Sequence, residues 1–386
     1  MSRGPRKTVE IPAATARAIW LAAQRLDVAT PFGDGPQATR AAVEHLGYVQ
    51  IDTINVIERS HHHILFTRIP GYSRAHLRQA QREDRSVFEY WTHALSYVPT
   101  RDLRFFLPQM AARRKTPDNW HGGVTSKELS KVLARIRRQG PLSIRDIDDD
   151  VLVDKEHPWA SKKPSKRALE RAFYDGRLVI VDREGMLKTY ELAERHFGRG
   201  NRPKPATPRQ INEYVLDRAL RSQGLVSLDS ICHLDAPRKP AIRALIDMRV
   251  RRRSLVPALV EGAGKTEYWM APELLETTTA PQLTGLVHIL SPFDPLVIQR
   301  KRLALLFGYD HVFEAYVTKE KRRFGYFTLP VLAGDEIVAA IDLKTDRAGR
   351  KLLIQQWHWI GAGSRARHGV MIDEALGRFE AFQLGD

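Results

Sequence analysis

Gln50 and Asp52 have the residue types that acid–base catalysis uses, and they stand two positions apart. In residues 47–55 they alternate with Val49 and Ile51, a period-two pattern that predicts a short half-buried strand. Side chains two apart on a strand point to the same face, so the pattern places an amide beside a carboxylate. This arrangement invites a catalytic interpretation. Taken alone, however, the spacing favours an edge strand that carries two solvated polar residues.

The run His61, His62 and His63 follows in a segment that is predicted to be helical over residues 56–66. Imidazoles are metal ligands, but neighbouring residues on a helix point about 100° apart, so three in succession cannot all bind one ion. We therefore predict no metal site here. We assign the three histidines to phosphate contact or to the wall of a pocket.

The aromatic run 88–93 supplies two further candidates, Trp91 and His93, which could stack on a nucleobase or line a pocket. A buried core that contains a satisfied Trp and His accounts for the same run equally well. Asn55, at the end of the predicted strand, is counted with these residues as a pocket or nucleic-acid contact.

The charge of the chain indicates what such a site would act on. Lys and Arg number 61 against 45 Asp and Glu, a formal net charge of +16 over 386 residues. Such an excess is typical of proteins with a polyanionic partner, most often nucleic acid, although a membrane-surface protein is an alternative. The basic residues recur in short clusters along the chain, which favours an extended binding surface. The candidate DNA contacts are Arg59, Lys166, Arg167, Arg171, Lys321, Arg322 and Arg323.

The rest of the composition excludes several classes of protein. Cys232 is the only cysteine, so a disulfide within the chain and cysteine-based zinc sites are excluded, and we predict a small buried hydrophobe there. No apolar run is long enough to cross a bilayer and no hydrophobic signal segment follows the basic N-terminus, so we expect a soluble cytoplasmic protein. Phosphate-loop, dinucleotide-binding and HExxH motifs are absent, and we expect no cofactor.

Two segments of the chain repeat one order of elements. In each, a helix is followed by a short helix that a serine caps, Ser143 or Ser227, and then by a third helix and a two-stranded ribbon. This is the winged helix-turn-helix order, which in a basic chain favours DNA binding over a protein–protein role. The N-terminal part of the chain contains the helices for a third such unit.

From residue 286 onward, strands replace helices and predict an antiparallel sheet or barrel. The predicted strands are residues 313–317, 324–329, 336–343 and 351–359. Lys321, Arg322 and Arg323 lie between the first two, at the tip of a predicted basic hairpin that could enter a DNA groove. The predicted fold is therefore α+β and mainly α, with three tandem winged helix-turn-helix domains and a C-terminal antiparallel β-barrel or sheet. The predicted domains are residues 1–122, which carry the strand with Gln50 and Asp52, then 123–200, 207–276 and 277–386.

Five blocks of sequence together point to one known family. They are residues 50–54, 58–62, 88–94, 290–294 and 324–327. In this order they resemble the YcaQ-type winged-helix DNA glycosylases, a bacterial superfamily that includes enzymes that unhook DNA interstrand crosslinks. The similar blocks extend from about Ala14 to the C-terminal sheet. The family's catalytic signature is Gln, an apolar residue, and then Asp or Gln, and Gln50-Ile51-Asp52 matches the Asp form. The sibling branch, which has Gln in the third place, protects antibiotic producers from their own alkylating product.

The resemblance implies hydrolysis of the N-glycosidic bond of alkylated purines in double-stranded DNA, as in base excision repair. A purine alkylated at N7 is cationic and leaves without a strong general acid, so the enzyme must stabilise an oxocarbenium-like sugar and deliver water. Asp52 could do both as a carboxylate, with Gln50 holding the water. We expect a monomeric, monofunctional glycosylase with a shallow, open site that leaves an abasic product and uses no metal or cofactor. The alternatives are a non-enzymatic winged-helix DNA-binding regulator and a protein–protein module.

Overall fold

The structure is a computed structural model that describes residues 8–117, 123–147, 152, 161–198, 200, 203–275 and 285–385. The α-helices in these ranges are α1 (Ala13–Ala23), α2 (Gly35–Leu46), α3 (Ser60–Phe66), α4 (Arg74–Arg82), α5 (Leu103–Lys115), α6 (Ser126–Gln139), α7 (Pro164–Tyr174), α8 (Ala193–Phe197), α9 (Pro208–Gln223), α10 (Leu228–Ile231), α11 (Lys239–Arg251), α12 (Arg300–Phe307) and α13 (Arg365–Leu384). The strands are β1 (Val9–Ile11), β2 (Val49–Gln50), β3 (Val87–Trp91), β4 (Leu95–Pro99), β5 (Leu142–Ser143), β6 (Leu178–Glu184), β7 (Leu187–Leu192), β8 (Val256–Val260), β9 (Glu267–Met270), β10 (Val287–Ile289), β11 (Thr328–Ala333), β12 (Glu336–Asp346) and β13 (Lys351–Trp359). No α-helix among them has the length and apolar character needed to cross a membrane.

Two compact units divide the chain, one formed by Met1–Arg74 with Asn212–Asp386 and the other by Ala75–Ile211. In the first unit, β10, β11, β12 and β13 form an antiparallel sheet, and β1 pairs parallel to β8, which pairs antiparallel with β9. One core joins these sheets to α1 and α12, and it buries Trp20, Leu290 and Leu303 completely. The four domain boundaries that the sequence suggests stay a prediction.

Of the two predicted alternatives for the C-terminal part, the structure contains an open sheet and not a closed barrel. β10 and β13 are the two edges of the sheet, and within the described residues they do not pair with each other. Helix α13 lies against the sheet and buries Ile372 and Phe379. The apolar pattern does not predict α12 or α13, because a search for period-two strands in this region passes over buried helical faces.

The prediction of a basic hairpin in this region is wrong. Residues 313–317 form no strand, β11 begins later than predicted, and Lys319–Lys321 form a 3-10 turn within an irregular segment. Two carboxylates explain the difference. Glu314 and Asp342 accept the backbone N–H groups of residues 323–327, which a neighbouring strand would otherwise have to satisfy.

The repeated order of elements is present in both segments for which it was predicted. In the second unit, α6, β5, a 3-10 turn, α7, β6 and β7 follow one another, and the sheet order is β5-β7-β6. In the first unit, α9, α10, α11, β8 and β9 do the same. The hydroxyl groups of Ser143 and Ser227 cap the short helical turns as expected. A third winged helix in the N-terminal part stays a prediction.

Candidate active site

The strand predicted over residues 47–55 is much shorter in the structure. β2 is 2 residues long and ends at Gln50. Gly47 precedes it and ends α2 with a φ of 79°, a conformation that favours glycine, and a Cβ there would collide with Arg218. Because the strand ends at Gln50, its pairing does not determine where Asp52 points.

Asp52 lies half-buried in residues 51–59, which we call the 51–59 loop. Its Oδ1 accepts the N–H of Ile54 at 2.7 Å, so the loop itself orients the carboxylate. Burial raises the pKa of Asp52, and hydrogen bonds from the N–H groups of Ile54 and Thr53 oppose this effect. The outcome is a fixed carboxylate that is a stronger base than an exposed aspartate.

Gln50 is buried, with 8% of its surface exposed, and its backbone joins the 51–59 loop to the helix that follows. The hydroxyl of Ser60, the first residue of α3, donates to the Gln50 carbonyl oxygen at 2.8 Å. The start and the end of the loop are therefore fastened to each other. Gln50 and Asp52 belong to one short, closed segment.

Arg347, in the turn between β12 and β13, holds the middle of the 51–59 loop. Its guanidinium donates to the Asn55 carbonyl oxygen at 3.1 Å, to Asn55 Oδ1 at 3.0 Å and to the Ile57 carbonyl oxygen at 2.5 Å. The N–H of Thr345 also donates to the Val56 carbonyl oxygen at 2.9 Å. No sequence pattern could find Arg347, because it is 292 residues from Asn55 and occupies an ordinary turn.

A second arginine holds the end of the loop. Glu58 is buried, and its Oε2 accepts Arg74 Nε at 2.9 Å, while its Oε1 accepts the N–H of Arg59 at 2.8 Å. Arg74 also donates to the carbonyl oxygen of Phe382 in α13 at 3.0 Å and lies over that ring. The loop is thus connected to both the sheet and the C-terminal helix.

The three histidines occupy different environments on α3. His63 is fully buried, and its Nε2 donates to the Ile289 carbonyl oxygen at 2.8 Å. His62 Nδ1 is hydrogen-bonded to the Tyr72 hydroxyl at 2.7 Å, and the buried His61 ring lies 4.2 Å from that of His62. Burial lowers the pKa of His63 to about 4 and that of His62 to about 3. Both are therefore neutral at pH 7, and neither offers a phosphate a positive charge.

Arg59 precedes α3 and is half-buried at the end of the 51–59 loop. Its Nε makes no hydrogen bond within the described part of the chain, and its charge helps to depress the pKa of His62. An arginine in this state can still donate to an anion. A contact between Arg59 and DNA stays a prediction.

A buried ion pair that the sequence did not reveal lies next to α3 and is hydrogen-bonded to it. Arg68 and Asp294 are both fully buried, with guanidinium–carboxylate distances of 2.7 and 3.1 Å. Arg68 also donates to the Gln24 carbonyl oxygen and to the Ile64 carbonyl oxygen, and Asp294 accepts the N–H of Leu296. Loss of one member of such a pair costs about 3–5 kcal/mol. Asp294 belongs to the 290–294 block of the family resemblance, and its partner could not be inferred from spacing.

Trp91 and His93 belong to the second unit. Trp91 is half-buried at the end of β3, and its ring lies 6.3 Å from that of Tyr174 in an edge-on arrangement. His93 is half-buried in the β3–β4 turn, where its Nδ1 lies 3.4 Å from Thr92 Oγ1. The centre of the aromatic run is core, since Phe88 and Tyr90 are buried. The core interpretation therefore applies to the centre of the run, and a binding role for Trp91 and His93 stays a prediction.

The predicted DNA contacts on α7 differ in exposure. Lys166 is exposed, whereas Arg167 has 8% of its surface exposed. Arg171 is half-buried and donates to the Val124 carbonyl oxygen. Of these three cations, Lys166 is the one with an unobstructed charge.

The cations of the irregular C-terminal segment are more accessible. Lys321 and Arg323 are exposed. Arg322 is half-buried, donates from its Nε to the Val317 carbonyl oxygen at 2.9 Å, and lies 4.8 Å from the centre of the Tyr326 ring. Lys321 and Arg323 therefore present charge to solvent, while Arg322 stabilises the segment.

Neither a metal site nor a reactive thiol emerges from the described residues. Within them no group of three His, Cys, Asp or Glu side chains could hold a metal ion. Cys232 is buried, and burial raises its pKa to about 11, so it is the small hydrophobe that was predicted.

The chain is similar to known proteins in both sequence and fold. A family model described as DNA glycosylase AlkZ-like matches residues 43–382. Among solved structures, the DNA glycosylase AlkZ of Streptomyces sahachiroi has a similar fold, with a TM-score of 0.63 at 16% sequence identity. The similarity covers 98% of this chain and 98% of that one.

Proposed function

Because the chain belongs to the AlkZ-like DNA glycosylase family of DNA repair enzymes, we propose that it hydrolyses the N-glycosidic bond of N7-alkylated purines. The proposed substrate is double-stranded DNA, including DNA whose strands are crosslinked through such purines. The proposed enzyme is a cytoplasmic monomer that contains three winged helices. The observation that supports the chemistry best is the oriented Asp52 carboxylate, of raised pKa, in a loop that is tied to the sheet.

The chemistry follows from the charges. N7 alkylation makes the purine a cation, so the bond between C1′ and the base breaks with its electron pair moving to the base and neutralising it. The positive charge that develops on the sugar is stabilised by the Asp52 carboxylate. Water then adds to C1′ and passes a proton to Asp52, whose raised pKa makes it the better base. The Gln50 side chain holds that water by its amide.

The proposed product is an abasic site without strand cleavage. A glycosylase that also cleaves the strand commonly uses an amine to form a Schiff base with the sugar. The sequence contains no lysine between Lys7 and Lys115, the stretch that includes Gln50 and Asp52. The stretch of sequence around the motif therefore offers no lysine as the amine nucleophile.

Retention of DNA is assigned to four cations, one at the end of the 51–59 loop and three outside it. Arg59, Lys166, Lys321 and Arg323 combine positive charge with at least partial exposure. Each phosphate that such a side chain neutralises releases counterions, so binding should weaken steeply as salt rises. Trp91, His93 and Asn55 stay candidates for contacts with the lesion.

Incubation with duplex DNA crosslinked by a nitrogen mustard tests the proposal. The enzyme should release single strands that contain an abasic site, which hot alkali then cleaves at the crosslinked guanine. The Asp52→Asn variant should bind the same DNA and release nothing. A wild-type protein that binds duplex DNA and yields no alkali-sensitive strand would overturn the proposal and favour a winged-helix regulator.

A further inference from the structure

Tyr316 is the most unusual surface residue of the first unit's C-terminal part. It lies in residues 313–327, which we call the 313–327 loop, and 81% of its surface is exposed. Among the described residues, its ring lies edge-on to that of Phe313, with the ring centres 5.9 Å apart. An aromatic ring held out in water gains little hydrophobic stabilisation for the fold, and its face is available to a partner outside the chain.

The loop that carries Tyr316 is built to be rigid although it contains little regular structure. Glu314 accepts the N–H groups of Phe324 at 2.7 Å and Gly325 at 3.1 Å. These bonds lower the pKa of Glu314, so the carboxylate is charged at neutral pH. Phe313 itself packs against Phe327, with ring centres 5.6 Å apart. A tip fixed in this way loses little conformational entropy when it binds.

The far end of the loop is fixed to β12. Asp342 accepts the N–H groups of Tyr326 at 2.7 Å and Phe327 at 2.9 Å. Gly325 has a φ of 135°, and a Cβ at that position would collide with the Asp342 carboxylate, so the chain passes close against this strand.

The same strand also holds the 51–59 loop. Thr345 donates its N–H to Val56, and Arg347, just beyond the end of β12, donates to Asn55 and Ile57. Thr345 is three residues from Asp342, which on a strand is roughly 10 Å. The rigid loop with the exposed ring and the loop with Asp52 are therefore fastened to one end of one strand.

The charges around Tyr316 suit a polyanion. Lys319, Lys321 and Arg323 are exposed in the same loop, with Glu320 as the exposed acid among them. An exposed ring among cations fits double-stranded DNA, because phosphates can contact the cations while the ring meets the bases.

We propose that Tyr316 is a wedge that enters a groove of damaged duplex DNA and packs its ring against the base step beside the lesion. The inference rests on the proposed glycosylase function and adds a lesion-sensing residue to it. A wedge loosens a base step without swinging the nucleotide out. It thus works on a purine that a crosslink ties to the opposite strand, and it favours sites where stacking is already weakened.

Binding measurements without turnover test the wedge. Two duplexes of one sequence are compared, one undamaged and one with a tetrahydrofuran abasic analogue, across a range of salt concentrations. Tyr316→Ala should reduce the preference for the damaged duplex about tenfold, the scale of one base–aromatic stack, while the salt slope stays unchanged. Tyr316→Phe and Tyr316→Trp should keep the preference.

Two controls separate stacking from charge and from general surface change. The triple variant with Lys319, Lys321 and Arg323 replaced by Ala should flatten the salt slope and keep the preference for damage. Val370→Ala, at an exposed apolar position on α13, should change neither quantity. Thermal unfolding should be the same for all variants, since these side chains are exposed.

An undiminished preference in Tyr316→Ala would overturn the wedge, as would Tyr316→Phe behaving like Tyr316→Ala. The proposed function has a separate criterion. If Asp52→Asn still excised the lesion while Tyr316→Ala lost its preference, the catalytic assignment would fail and the wedge would stand.

Discussion

At the scale of single residues, the central feature is a carboxylate whose basicity is set by two opposing effects. Burial raises the pKa of Asp52, and two backbone N–H groups limit the rise. Gln50 is buried and its position is fixed through its backbone. In the proposed mechanism, Asp52 is the base for the addition of water to C1′ and the Gln50 amide holds that water.

The raised pKa predicts where activity is lost in acid. In the proposed mechanism Asp52 acts as a carboxylate, and a raised pKa means that it keeps its proton up to a higher pH than usual. The rate of N7-methylguanine excision should therefore fall with decreasing pH at a midpoint above 3.8, the ordinary value for aspartate. Single-turnover rates from pH 4 to 8, corrected for uncatalysed loss of the base, would measure it. A rate that is constant down to the lowest pH would contradict this role.

At the scale of elements, the 51–59 loop owes its shape to contacts from distant parts of the chain. Arg347 makes three hydrogen bonds to it from the β12–β13 turn. Glu58 fastens the end of the loop through Arg74. These bonds fix the backbone of the loop, which is the support that a site needs when it does not lie on a helix or strand.

Removal of the Arg347 guanidinium, which holds the 51–59 loop, should impair catalysis more than DNA binding. Arg347→Ala frees the carbonyl oxygens of Asn55 and Ile57, so Asp52 loses its fixed position, and kcat should fall about 10- to 100-fold. DNA affinity should stay within about threefold, the loss expected for one exposed charge at moderate salt.

Arg350→Ala provides the matched control, because it removes another cation from the same turn, one that donates to the Leu384 carbonyl oxygen. Its kcat should equal that of the wild type. Equal kcat values for Arg347→Ala and Arg350→Ala would show that Arg347 does not position Asp52.

The sequence predicts those elements whose signals are local. It does not predict structure that depends on groups far away in the chain. Gly47 and the serine caps mark their helix boundaries, because capping depends on adjacent residues. No strand forms over residues 313–317, and the strand predicted over residues 324–329 begins only at Thr328, because Glu314 and Asp342 satisfy the backbone N–H groups of residues 323–327. The motif with Gln50 and Asp52 is visible in the sequence, but the arginines that hold it are not.

At the scale of the whole molecule, folding of the first unit places several histidines in apolar surroundings. Burial lowers the pKa of His63 to about 4 and that of His288 to about 4. Both donate to backbone carbonyl oxygens, His63 to Ile289 and His288 to Leu26. They link α3 and β10 to the rest of the unit as neutral side chains.

These histidines predict a specific loss of stability in acid. Between about pH 4 and 6.5 the unfolded chain binds protons that the folded His63 does not, so the free energy of unfolding falls as the pH is lowered through this window. The full effect of His63 is about 3 kcal/mol. Urea unfolding at pH 7 and pH 4.5 would measure it.

His63→Gln keeps a donor for the Ile289 carbonyl oxygen and removes the titration. The variant should be less stable at pH 7 but should lose less stability between pH 7 and 4.5 than the wild type. An equal loss in both proteins would show that His63 does not contribute to the acid sensitivity.

The most direct test of the account is excision of N7-methylguanine from duplex DNA under single-turnover conditions by the wild type and Asp52→Asn. The account predicts a rate loss of about 10²- to 10⁴-fold in the variant, with DNA affinity near that of the wild type. Asp84→Asn, which removes an exposed carboxylate of the second unit, should keep the wild-type rate. An Asp52→Asn enzyme that excises the base at the wild-type rate would contradict the account.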